Sequence, residues 1–145
     1  MKKSSSIREI HSSSCETIMQ RPLFLSEVSA GFPSPADDYL DRKLDLNEHL
    51  IKNPAATFFV RVAGDSMTGA GINDNDILVV DRSLEPASNN IVIAVVNGEL
   101  TVKRLIKNQN CYRLVAENSD YPPLDIDEEM ELEIWGVVTF AIHAL

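Results

Sequence analysis

Apolar and polar residues alternate with period two from Thr57 onward: Phe58, Val60 and Val62 fall on one side, Thr57, Phe59 and Arg61 on the other. This is the pattern of a half-buried strand, and β-branched runs recur at Ile77 to Val80 and Ile91 to Val96. Asn97-Gly98 separates the run Ile91 to Val96 from Glu99 to Ile106. Both residues tolerate the positive φ of a type I′ turn, so the spacing predicts a two-residue hairpin. In that register Val96 pairs with Glu99 and Lys103 falls opposite Val92, with Ala94 and Thr101 as the nearest neighbours on the same face. Residues 111–115, and 131–142 around Trp135-Gly136-Val137-Val138, supply the remaining strands. The body is mainly β.

The first part of the chain reads differently. Residues 1 to about 20 are Ser-rich and short of aromatic residues, too polar to offset the entropy of ordering, which predicts a mobile arm. Pro22-Leu23-Phe24-Leu25 is apolar enough to dock on the body. Val28-Ser29-Ala30-Gly31-Phe32-Pro33 is an extended, small-residue stretch, open to two readings: a plain linker, or a segment whose Ala30-Gly31 carbonyl enters a narrow site without a clash. Ser34-Pro35-Ala36-Asp37 has the marks of a helix start. Asp45-Leu46-Asn47-Glu48 is a second capping box, with its helix ending at Asn53-Pro54.

At 145 residues there is room for one domain with a real core and a short appendage. The formal net charge of −9 argues against direct DNA reading, which depends on clustered Lys and Arg. Residues 1–30 carry a slight positive excess, so the acidity belongs to the body. Cys15 and Cys111 form neither metal-ligand spacing nor a disulfide framework, and a reducing cytoplasm fits them best. The N-terminal charges lead into serines instead of an apolar run, and no stretch approaches the ~18 continuous apolar residues of a membrane span. The carboxylates of Asp125 to Glu133 lack the pattern of a calcium loop, and neither a metal nor a cofactor is assigned.

The candidate chemistry rests on Ser66, in Val62-Ala63-Gly64-Asp65-Ser66-Met67, and on Lys103, in Leu100-Thr101-Val102-Lys103-Arg104-Leu105. A serine hydroxyl needs a base to take its proton, and a neutral lysine amine can do so without a histidine. A free lysine, with a pKa of about 10.4, is almost wholly protonated at pH 7, so burial must weaken its hold on the proton. Gly64 permits an unusual backbone, through which the N–H groups of Ser66 and Met67 can converge as an oxyanion hole. Each residue also has an innocent reading: Ser66 caps its own turn, and Lys103 is an edge-strand lysine that discourages pairing. His11, His49 and His143 have no serine or cysteine neighbour that makes a triad.

Taken together, Ala30-Gly31-Phe32-Pro33-Ser34-Pro35-Ala36, Gly64-Asp65-Ser66-Met67, Asp76-Ile77-Leu78-Val79-Val80-Asp81, Leu100 to Leu105 and Trp135-Gly136-Val137-Val138 resemble the UmuD proteins of bacterial SOS mutagenesis, LexA-like self-cleaving serine peptidases. The likeness runs from about Pro22 to Leu145. It implies Ser66 as nucleophile, Lys103 as general base and Ala30-Gly31 as the self-cleavage bond. It also implies a compact, strongly bent β-sheet body over 31–145 that forms homodimers, and an arm, residues 1–30, removed on cleavage. As partners it implies a RecA filament on single-stranded DNA, which stimulates cleavage, and a UmuC-type Y-family polymerase for translesion synthesis. Contact with DNA is then indirect. The best-known member has cysteine where this chain has Ala30, and the arm is longer here. Three alternatives share features with this reading. A LexA-type repressor needs a DNA-reading domain that thirty Ser-rich residues cannot form. A signal peptidase needs a membrane span. A non-catalytic dimeric adaptor would keep the fold and only bind a polymerase.

Overall fold

The computed structural model describes residues 5–13, 18–24, 30–31 and 41–145. The expected helix start at Ser34-Pro35-Ala36-Asp37, most of the stretch from Val28 to Pro33, and Cys15 lie outside the described residues. The strands are β1 (Ser6–Ser12), β2 (Gln20–Phe24), β3 (Asp41–Asp45), β4 (Thr57–Ala63), β5 (Ile77–Asp81), β6 (Ile91–Val96), β7 (Glu99–Asn108), β8 (Cys111–Val115), β9 (Leu124–Ile126) and β10 (Leu132–Ile142), and α1 spans Leu46–Leu50. The chain divides into two units, residues 15–52 and the remainder.

In the smaller unit β2 and β3 pair antiparallel, from Gln20 opposite Asp45 to Phe24 opposite Asp41. Asp45 caps α1 as its sequence foretells, accepting from the Asn47 backbone N–H at 2.9 Å. The helix stops at Leu50, earlier than the Asn53-Pro54 boundary expected.

The larger unit holds a strongly curled eight-stranded sheet in the order β1-β4-β5-β10-β6-β7-β8-β9. Its curl has a local cause in β10, whose register slips between Val138 and Phe140 against β5 and between Ile134 and Gly136 against β6. Such bulges bend a strand and raise its twist. Gly136 lets β5 and β10 close up there, since a Cβ would stand 2.7 Å from Val80 Cγ1. Curling buries both faces of β6: Ile93 packs with Val60, Val62, Met67 and Val102, while Val92 and Ala94 pack with Leu105, Leu114 and Val137. The β6–β7 hairpin has the register its Asn-Gly turn predicts, with Val96 opposite Glu99, Ala94 opposite Thr101 and Val92 opposite Lys103. Asn97 and Gly98 take φ of 49° and 82°.

Four strands depart from expectation. β2 falls where only an apolar docking stretch is expected, β3 is short and charged, and β9 is three residues long at the start of an acidic run. Residues 6–12, expected within a mobile arm, pair antiparallel with β4 from Ser6 opposite Ala63 to Ser12 opposite Phe58. Ile7 packs against the core and Glu9 pairs with Arg61, contacts that composition alone does not reveal.

Candidate active site

Strand β4 ends at Ala63, and the chain turns at Gly64 with φ of 100°, a backbone that disfavours any side chain. The Gly64 N–H donates to Asp74 Oδ1 at 2.8 Å. Met67 then plunges into the core with no exposed surface, and this anchor fixes Ser66 one residue before it, also fully buried. A second loop braces the turn from the other side. The Tyr121 hydroxyl donates to Asp65 Oδ1 at 2.5 Å, Asn118 Nδ2 donates to the Asp65 carbonyl at 3.0 Å, and the Gly69 N–H donates to the Glu117 carbonyl at 2.7 Å. Desolvation first, then the Asp65 hydrogen bond and charge and that of Asp120, push the Tyr121 phenol up to about 12, so it remains a donor at any ordinary pH.

Lys103 reaches this turn from β7. Its Nζ lies 2.9 Å from Ser66 Oγ, 3.2 Å from Thr101 Oγ1 and 3.1 Å from the Val102 carbonyl oxygen, and as an ammonium it donates to all three. Burial pulls its pKa from 10.5 down to about 8. Beside Lys103 lies a cleft of about 510 Å³, lined by Leu100, Leu114, Pro122 and Leu124 and also by Ser5, Thr101 and Glu99. Ser66 and Lys103 thus meet as a hydroxyl beside an amine that sheds its proton within reach of neutral pH. In the innocent readings Ser66 caps its own turn and Lys103 is a solvated edge residue; here Oγ faces Lys103 and Lys103 is largely buried.

The Ser66 N–H, expected as one oxyanion donor with that of Met67, donates to Ser5 Oγ at 2.9 Å. Ala30 and Gly31 belong to the smaller unit and are exposed, and the space around Gly31 is open. His11 lies 2.9 Å from Glu9 and His143 lies 2.6 Å from Asp76, both apart from Ser66 in their bonding. Among the described residues no group of three or more His, Cys, Asp or Glu could hold a metal ion. A larger hollow of about 610 Å³ at the β7–β8 turn is lined by other residues, including Cys111 and Tyr112. Sequence reasoning missed Tyr121, Asn118 and Ser5, which lie more than fifty positions from their partners in the turn and leave no local signal.

Comparison with known proteins bears directly on this arrangement. The Peptidase S24-like family matches residues 22–139. The chain belongs to that family. Its S24 relatives include the protein MucA of Salmonella typhimurium, 44% identical over 133 residues and 90% of each chain. The protein SamA of Salmonella typhimurium is 49% identical over 122 residues, 84% of each chain, and ImpA of Escherichia coli is 47% identical over 123 residues, 85% of this chain and 83% of its own. This S24 peptidase is therefore a self-cleaving serine peptidase of the LexA-like kind, on the UmuD-like branch of SOS mutagenesis proteins, whose members work with polymerases. Among its described residues no helix is long and apolar enough to cross a membrane.

Proposed function

We propose that Ser66 and Lys103 carry the self-cleavage and that Ala30-Gly31 is the bond cut. The observation that carries this reading is the 2.9 Å approach of Lys103 Nζ to Ser66 Oγ, with burial drawing the amine toward its neutral form. Neutral Lys103 takes the Ser66 proton as Oγ bonds to the Ala30 carbonyl carbon. The oxyanion is held by the N–H groups of Ser66 and Met67 once the former is released from Ser5. Collapse breaks the C–N bond, and Lys103 returns its proton to the Gly31 nitrogen. A water deprotonated by the same amine then hydrolyses the ester, which restores Ser66 and leaves Ala30 with a free carboxylate.

Tethering the bond to its own chain or to a dimer partner supplies a high effective concentration, so a modest base suffices and docking controls the rate. In this reading residues 31–145 persist as a homodimer in the cytoplasm. A RecA filament on single-stranded DNA favours the docked state, and the trimmed dimer joins a UmuC-type Y-family polymerase. The net charge of −9 supports indirect contact with DNA. The test is intact mass of wild type, Ser66→Ala and Lys103→Ala, incubated at pH 7 and pH 10 with and without activated RecA filament. Fragments 1–30 and 31–145 should appear in wild type alone. Efficient cleavage by either variant would sink the assignment, and an intact wild type under every condition would favour the adaptor reading.

A further inference from the structure

Ser66 is fully buried, and the group that buries its hydroxyl belongs to the chain's own N-terminal segment. The Ser5 N–H donates to Ser66 Oγ at 2.9 Å, and the Ser66 N–H donates back to Ser5 Oγ at 2.9 Å. Thr101 Oγ1 donates to the Ser5 carbonyl at 3.4 Å, and Ser5 keeps 1% of its surface. Strand β1 continues from this point along the edge of β4. We propose that the β4 edge, with Ser66 at its end, is a docking surface for an extended peptide added as a strand, and that residues 5–12 occupy it as a competing, uncleavable ligand. This rests on the reading of Ser66 as nucleophile.

The bonding at Ser5 is that of a plug. An amide N–H that donates to Oγ holds the hydroxyl at the edge of the peptide plane, whereas attack on a carbonyl carbon runs from above that plane. The Ser5 hydroxyl also consumes the N–H that an oxyanion needs. No scissile bond can reach Ser66 until Ser5 leaves.

The remaining contacts define the ligand and how firmly it is held. Ile7, two residues on, packs against the core. Beyond it Arg8 Nη1 donates to Asn75 Oδ1 at 3.1 Å, and Glu9 pairs with Arg61. The surface therefore fits an extended segment with a small hydroxyl residue over Ser66, a branched apolar residue two places later and a carboxylate four places later. Ser6, Arg8, Ile10, His11 and Ser12 are exposed and partly exposed ion pairs hold weakly, so beyond Ile7 the strand is held mainly by its backbone ladder on one side, which a competing strand can replace bond for bond. Because residues 5–12 precede Ala30-Gly31, cutting that bond also severs the plug from the body. Whatever lifts β1 raises the fraction of molecules able to cleave.

The test uses the full chain and two readouts: phosphonylation of Ser66 by a small fluorophosphonate, located by mass spectrometry, and appearance of fragment 31–145. Ser5→Pro removes the N–H and the hydroxyl together, and Glu9→Lys repels Arg61. Either should speed labelling by about fivefold or more, the shift expected from losing one or two such contacts. A reversible lock guards against misfolded variants. His11→Cys with Phe59→Cys joins residues opposite each other in the β1–β4 ladder, in a chain carrying Cys15→Ser and Cys111→Ser. Oxidation should suppress both readouts and reduction restore them in the same polypeptide. Equal labelling of oxidised and reduced protein overturns the proposal. Faster labelling in the variants with no cut at Gly31 upholds the plug and overturns the cleavage-site reading instead.

Discussion

If Lys103 is the base, the rate of self-cleavage follows the fraction of Lys103 that is neutral, and the fold determines where that fraction changes. With Ser5 over Ser66, burial sets its pKa at about 8, against 10.5 for an ordinary lysine, and a substrate strand that takes the place of Ser5 covers the amine in the same way. At pH 7 about one molecule in ten then carries the neutral amine, and at pH 9 about nine in ten do. The sign follows from the charge: raising pH removes a proton from a cation, so the active form grows with pH. The rate should climb about tenfold between pH 7 and 9 and level off above. An unburied lysine would give a rise of nearly a hundredfold over the same interval, still climbing past pH 10. The assay is intact-mass quantification of fragment 31–145 over time at constant ionic strength, with circular dichroism at each pH to establish that the fold persists. Tyr121, pushed up to about 12, stays protonated throughout and leaves the brace on Asp65 intact. A flat profile, or a logarithmic rise without a plateau, would rule out a buried Lys103 as the base.

Thr101→Val removes an acceptor 3.2 Å from the Lys103 ammonium, which destabilises the charged form and should move the plateau's onset down by up to about one pH unit, read from the same profile. Gly69→Ala would put a Cβ 2.5 Å from the Glu117 carbonyl oxygen, and a methyl forced into so tight a contact costs about 1–3 kcal/mol, measurable as a lower denaturation midpoint and a slower cut. Gly98→Ala meets no atom within 4 Å but must hold φ near 82°, so it should cost about 1–2 kcal/mol of stability, and the midpoint of urea unfolding is the check.

How much of this was legible beforehand depends on the range of the forces involved. The hairpin at Asn97-Gly98 could be read residue by residue, because a two-residue turn with positive φ admits one register and that register carries Lys103 to its place opposite Val92. Alternation located β4, β-branched apolar runs located β5 and β6, and the hairpin turn carried β7, since each signal acts within a few residues. The cap of α1 at Asp45 is equally local. β3 escaped because it is charged almost throughout, and β9 because three residues are too few to show a period. The residues alone singled out Ser66, Lys103 and the Ala30-Gly31 bond but left each with an innocent alternative, and the likeness to the UmuD proteins shifted the balance.

The tertiary structure decided everything that joins distant segments. Whether Lys103 is a solvated edge cation or a desolvated base depends on segments brought to it from elsewhere, among them Ser5, Leu114, Pro122 and Leu124 around its cleft, and desolvation cannot be read from a strand's own residues. The brace on Asp65 comes from Asn118 and Tyr121, more than fifty positions away. The plug at Ser66 comes from Ser5, which its own neighbourhood marks only as part of a serine-rich arm. Turn angles and side-chain patterning, which act between neighbours, placed β4 to β8 and β10 and aligned the β6–β7 hairpin. Only folding decided that Ser66 meets an amine and is shut from solvent, because burial and hydrogen bonding act between residues the chain keeps far apart.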